Sequence, residues 1–111
     1  MKLTITAEAE KALTRLKGSK DSYLLLWYDT DDCGCAVNGV PTVRFVEEIE
    51  PSFEKVENDQ FETFVDKSQA IFFHPSLTLD FHNNKFRLKS PEGYLNAFIS
   101  QSSVSQAVQT V

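Results

Sequence analysis

The sequence predicts a mainly-β domain, built as a sandwich or partly closed barrel with a helix near its start. Three observations carry this. About seven short apolar or alternating runs follow one another at close spacing. Turn pairs such as Asn38-Gly39 and Asn83-Asn84 separate several of them. A clear 3.6-residue apolar stripe occurs at residues 9–16, with a few helical turns expected later in the chain. The 111 residues suffice for one core and are too few for two. We expect residues 1–95 to form a single domain and residues 96–111 a polar tail.

Residues 3–5 read as a first strand. Thr6 is the N-cap candidate of the helix over 7–17, with Glu8 and Glu10 in the first turn, where the helix dipole favours them. Ala9, Ala12, Leu13 and Leu16 fall at i, i+3, i+4 and i+7, and Lys17-Gly18 ends the helix. The most apolar run of the chain, residues 22–28, is too short for a helix and reads as a central strand buried on both sides. Leu24 and Leu26 should share one face, Leu25 and Trp27 the other. Pro41 opens the next strand, in which Val43, Phe45 and Ile49 share a face. Residues 53–57 and 61–65 form a hairpin around Asn58-Asp59-Gln60, and residues 66–73 give one or two helical turns stopped by Pro75. Residues 78–82 and 85–89 alternate cleanly across Asn83-Asn84, which suits a type I′ turn. Pro91 to Gly93 is a turn. Beyond Ser100 the chain is Ser, Gln and Val with little bulk, so weak anchoring is expected.

Nine Phe, three Tyr and one Trp supply enough core material to fold without a disulfide or metal. Eleven Lys and Arg against 16 Asp and Glu leave a net charge of −5, which argues against nucleic acid and against anionic membrane surfaces. No apolar segment is long enough to span a membrane, and residues 1–6 lack a signal-peptide core, so a cytoplasmic location is expected. Reduced thiols fit that compartment. A disulfide between Cys33 and Cys35 would close a small, strained ring and stabilise little.

The chemically unusual stretch is the loop after the central strand, with Asp29, Asp31, Asp32, Cys33, Gly34 and Cys35. Two thiolates this close can grip one soft cation, and Gly34 lets the backbone bend around it. Iron, zinc or an iron–sulfur cluster normally takes four such ligands, so a second chain, or His74 and His82, would have to complete the set. The bland alternative is that both cysteines are small loop side chains, because a single Cys-x-Cys is a weak signal. The carboxylates raise the thiol pKa and work against nucleophilic catalysis, whereas a bound cation would relieve the repulsion. A calcium loop is rejected: Val40 stands where a bidentate Glu is required. His74, between Phe73 and Pro75, reads more readily as a turn cap, and His82 as exposed. No phosphate loop, serine-nucleophile motif or acid/base pair is present, so no enzyme activity is expected.

The words Ile5-Thr6-Ala7-Glu8-Ala9-Glu10-Lys11-Ala12-Leu13, the strand 23–28 leading into a Cys–Gly loop, and Phe61-Glu62-Thr63-Phe64-Val65-Asp66-Lys67-Ser68 resemble the HesB-like, A-type iron–sulfur carrier family. The strands 78–81 and 86–91 resemble its last two, and the match spans about residues 3 to 94. The resemblance implies two sheets in a barrel-like arrangement with helices at the ends. It also implies iron or an iron–sulfur cluster as cofactor, cluster-assembly proteins or apo iron–sulfur proteins as partners, and a homodimer. Carriers of the family use three cysteines, one in this loop and a Cys-Gly-Cys pair near the C-terminus. Cys33 or Cys35 matches the loop cysteine, while residues 90–95 run on without any cysteine. Two readings therefore stay open: a metal or cluster binder using Cys33 and Cys35 (with Asp29, Asp31, Asp32 and His74 as accessory ligands), or a divergent HesB-like domain acting as an interaction or structural module.

Overall fold

The computed structural model describes residues 1–17, 22–29 and 40–106. Among the described residues, eight strands lie in two four-stranded sheets, ordered β1-β6-β7-β8 and β3-β2-β5-β4. The strands are β1 (Lys2–Ile5), β2 (Tyr23–Asp29), β3 (Val40–Val46), β4 (Phe53–Val56), β5 (Thr63–Asp66), β6 (Ser76–His82), β7 (Lys85–Ser90) and β8 (Gly93–Ser100). Both sheets are mixed. β1 runs parallel to β6 and β2 parallel to β5, and the remaining pairs are antiparallel. Each sheet keeps its own two edge strands, so the architecture is two sheets around one core and not a closed barrel.

Helix α1 (Ala7–Leu16) forms as its sequence dictates. Thr6 Oγ1 accepts a hydrogen bond from the Ala9 N–H at 3.3 Å, and the Lys17 N–H closes the last turn on the Leu13 carbonyl at 2.9 Å. Its stripe of Ala9, Ala12 and Leu13 is fully buried. There it joins Leu3, Ile5, Leu77, Leu79, Phe86 and Leu88 from one sheet and Leu24, Leu26, Val43, Phe45 and Val65 from the other. Each of these large side chains removed from water contributes about 1.5–3 kcal/mol, and this core holds the two sheets together.

β2 is an interior strand of its sheet, between β3 and β5, as its apolar run requires. Leu24 and Leu26 enter the core, while Leu25 is buried yet stands outside the core cluster, on the opposite face. The β6–β7 turn places Asn83 and Asn84 at φ 53° and 65°, the left-handed pair that a type I′ turn needs. The β4–β5 connection is organised by Asn58. Its Oδ1 accepts from the Gln60 and Phe61 N–H groups at 2.8 Å each, and its Nδ2 donates to the Leu3 carbonyl at 2.8 Å.

Four expectations change. Ile49 lies beyond β3 and is exposed, because the strand ends at Val46. The helical turns expected over 66–73 reduce to a single 3-10 turn, Ala70–Phe72, since Asp66 bonds Ser68 and bends the chain first. Residues 93–100 form an eighth strand, whose β-bulges against β7 break the alternation that would have revealed it. The short second helix expected after α1 is present as α2 (Gln101–Gln106), placed after β8 and not over 66–73, and it buries Val104 completely. The stretch expected to be a polar tail from residue 96 thus contributes to the sheet through Ser100 and to the core through Val104.

Candidate functional site

The cysteine loop grows out of the β2–β3 hairpin, and the structure shows how its two stems are held. Parallel pairing of β2 with β5 stops at Leu26 opposite Val65. β5 ends at Asp66, whose carboxylate accepts from the Ser68 N–H at 2.9 Å and the Ser68 hydroxyl at 2.8 Å, while the Ser52 hydroxyl donates at 3.0 Å from the start of β4. The Ser68 backbone bond, then its hydroxyl and that of Ser52, hold the Asp66 carboxyl below its ordinary pKa. The turn so formed presents Gln69 to the end of β2. There the Tyr28 N–H donates to Gln69 Oε1 at 3.0 Å, and Gln69 Nε2 donates to the Tyr28 carbonyl at 3.2 Å. The side-chain amide takes the place of a strand residue and extends the ladder past the point where β5 turns away. Phe72 stacks on the Tyr28 ring at 4.0 Å, nearly parallel.

The second stem is fixed from the other sheet. Asp29 pairs with Val40 and Tyr28 with Pro41, and Asn96 of β8 donates to the Pro41 carbonyl at 2.8 Å. The described residues on either side of 30–39 are therefore held by both sheets. Val40 and, in the 3-10 turn, Ile71 and Phe72 are large apolar side chains with exposures of 51%, 84% and 47%.

Of the predicted ligands, Cys33, Cys35, Asp31 and Asp32 lie outside the described residues, as does the Asn38-Gly39 turn. Asp29 closes β2 through its backbone. His74 Nδ1 accepts from the Ser76 N–H at 3.0 Å and lies 3.1 Å from the Ser76 carbonyl oxygen, the turn-capping role its neighbours suggested. That leaves only Nε2 for any other ligand. His82 is exposed at the end of β6. Among the described residues no group of three or more His, Cys, Asp or Glu could hold a metal ion. Sequence reasoning missed Gln69 and Phe72. Gln69 meets Tyr28 across 41 positions, and nothing in its polar neighbourhood signals that contact.

Elsewhere the outer side of the β6–β7 pair carries a bidentate pair, Arg87 Nε to Asp80 Oδ1 at 2.7 Å and an Arg87 terminal nitrogen to Oδ2 at 2.8 Å. It positions Arg87 beside Tyr94 and carries no reactive group. Among the described residues no helix is long and apolar enough to cross a membrane.

Comparison with known proteins agrees with this architecture. The chain is 32% identical over 103 residues to the uncharacterized protein YqkB of Bacillus subtilis (strain 168), covering 90% of this chain and 96% of that protein. Its fold is similar to that of a candidate Fe-S biosynthesis protein from Lactobacillus salivarius, with TM-score 0.73 and 18% identity over 90% of this chain and 95% of that one. It is also similar to Escherichia coli SufA, involved in biosynthesis of iron-sulfur clusters, with TM-score 0.61 and 21% identity over 83% and 82% of the two chains. The model of the iron-sulphur cluster biosynthesis family matches residues 1–100. This chain, with its HesB-like pair of sheets, belongs to the iron-sulphur cluster biosynthesis family.

Proposed function

We propose that this protein carries iron or an iron–sulfur cluster as cargo during cluster assembly, bound through the Cys33 and Cys35 thiolates. The observation that supports this best is positional. Both cysteines of the chain fall in the loop 30–39, whose stems are pinned by Gln69 and Asn96, in a family of cluster-biosynthesis proteins. Thiolates are the ligands that soft iron sites use, and a one-residue bite lets both reach one ion. Asp29, Asp31 and Asp32 disfavour thiolate formation without a cation, so cation binding and thiol deprotonation are coupled, and affinity falls as pH drops. Two thiolates leave coordination positions open. A second copy of the chain, a carboxylate or an incoming apo-protein fills them, and such openness suits cargo that must leave again. In this reading the protein is cytoplasmic, works with cluster-assembly proteins or apo iron–sulfur proteins, and catalyses no reaction.

Anaerobic reconstitution with ferrous iron and sulfide tests the reading. Charge-transfer absorption in the visible range is expected for the wild type, together with dimer formation. Both should be lost in the Cys33→Ser/Cys35→Ser variant. A second reading, a HesB-like interaction module without metal, is favoured by the absence of any cysteine after Cys35. Equal, negligible iron in wild type and variant would overturn the carrier reading in favour of the module.

A further inference from the structure

The outer face of the β3-β2-β5-β4 sheet does not look like a solvent face. A sheet side turned to water is ordinarily polar, yet this one carries Leu25, only 1% exposed, beside Trp27, Val46 and Phe53. Tyr23 and Phe64 pack edge to face alongside, with ring centroids 5.6 Å apart. Both helices send their buried residues into the core between the sheets, so neither covers this side. The apolar residues floor a groove of about 600 Å³, and its lining includes Glu47, Glu48, Glu50 and Asp66. Among the described residues of that lining the one cation, Arg44, lies over the Trp27 ring at 4.4 Å. The Trp27 indole N–H is buried and has no hydrogen-bond partner among the described residues.

We infer that this groove docks a lysine- or arginine-bearing segment of a partner protein, with apolar side chains on the Trp27–Val46–Phe53 floor and cations against the glutamate rim. The charge decides the occupant. Among the described residues, four carboxylates against one guanidinium give the lining a negative field that attracts a basic chain. A two-fold dimer through the same face would set identical acidic rims against each other and repel. Asp66 supports the assignment, since its bonds to Ser52 and Ser68 keep it ionised at the edge of the groove. This inference stands apart from the cysteine loop and does not depend on metal.

Trp27 is the sole tryptophan, so its fluorescence reports the groove directly. Titration with a short synthetic peptide alternating lysine and leucine should shift its emission saturably, and added salt should weaken the effect. The glutamate–leucine counterpart should produce none. The variant Glu47→Gln/Glu48→Gln/Glu50→Gln alters only exposed side chains. It should melt like the wild type and bind the lysine peptide about tenfold more weakly. Cys33→Ser/Cys35→Ser protein should bind as the wild type does, whatever the fate of the carrier reading. The inference fails if the lysine peptide leaves the emission unchanged, or if the triple variant binds it equally. It also fails if sedimentation shows self-association that the triple variant abolishes, because a second copy would then be the occupant.

Discussion

Gln69 and Tyr28 exchange two hydrogen bonds, backbone N–H to side-chain carbonyl at 3.0 Å and side-chain amide to backbone carbonyl at 3.2 Å. The pair anchors the strand from which the cysteine loop departs. Replacing Gln69 by Leu leaves both partly buried Tyr28 backbone groups without that partner, so a loss of about 1–3 kcal/mol is expected. The informative measurement is site-resolved hydrogen exchange. The Tyr28 amide should exchange faster in the variant while the Leu24 amide keeps its protection. Equal acceleration at both sites would mean that Gln69 supports the whole sheet and not the loop stem.

The core, and not the cysteines, should set stability. Leu26 is fully buried between the sheets, so Leu26→Ala should cost about 2–5 kcal/mol in denaturant unfolding. The Cys33→Ser/Cys35→Ser variant without iron should unfold within about 0.5 kcal/mol of the wild type, because the apolar core between the sheets supplies the stability. Comparable losses in the two variants would contradict this division of labour.

Acid sensitivity should report Asp66. Its folded pKa lies below the unfolded value of about 4, because the folded state donates hydrogen bonds to the ionised form. The sign follows from linkage. The stabilisation is fully present above the unfolded value and is lost as pH falls through the folded one. Asp66→Asn should therefore melt below the wild type at pH 6, with the gap closing on the way to pH 3. Melting curves across that range check it, and a gap that stays constant would assign the effect to packing.

Val104 tests whether α2 is part of the domain. The side chain is fully buried, and α2 packs against β3 and β8. Val104→Ala should cost about 2 kcal/mol, and Val104→Asp should cost more by burying a charge. A chain ending at residue 100 should show a lower melting temperature than the full chain. Unchanged melting for all three would return residues 101–106 to the status of a tail.

What the sequence determined by itself were the features whose causes are local. The Thr6 cap, the Ala9–Leu13 stripe, the Asn83-Asn84 turn and the alternation of β6 and β7 each depend on residues within a few positions of one another, and each stands where the sequence puts it. The all-apolar run of β2 likewise required a strand covered on both sides. Tertiary structure alone decided the rest. β8 is bulged, so its burial does not alternate, and only pairing with β7 makes it a strand. α2 has a single strongly apolar anchor in Val104, too little for a periodic signal, and is held by the surface it lands on. The covered state of Leu25, 1% exposed on the outer face, depends on Trp27, Arg44 and the Tyr23–Phe64 pair arriving from three strands. Gln69 could be assigned no role until β5 and the turn after it had brought it across 41 residues to Tyr28. Contacts of that separation are set by sheet order and register, which depend on how the whole core packs and leave no mark in any short window of sequence.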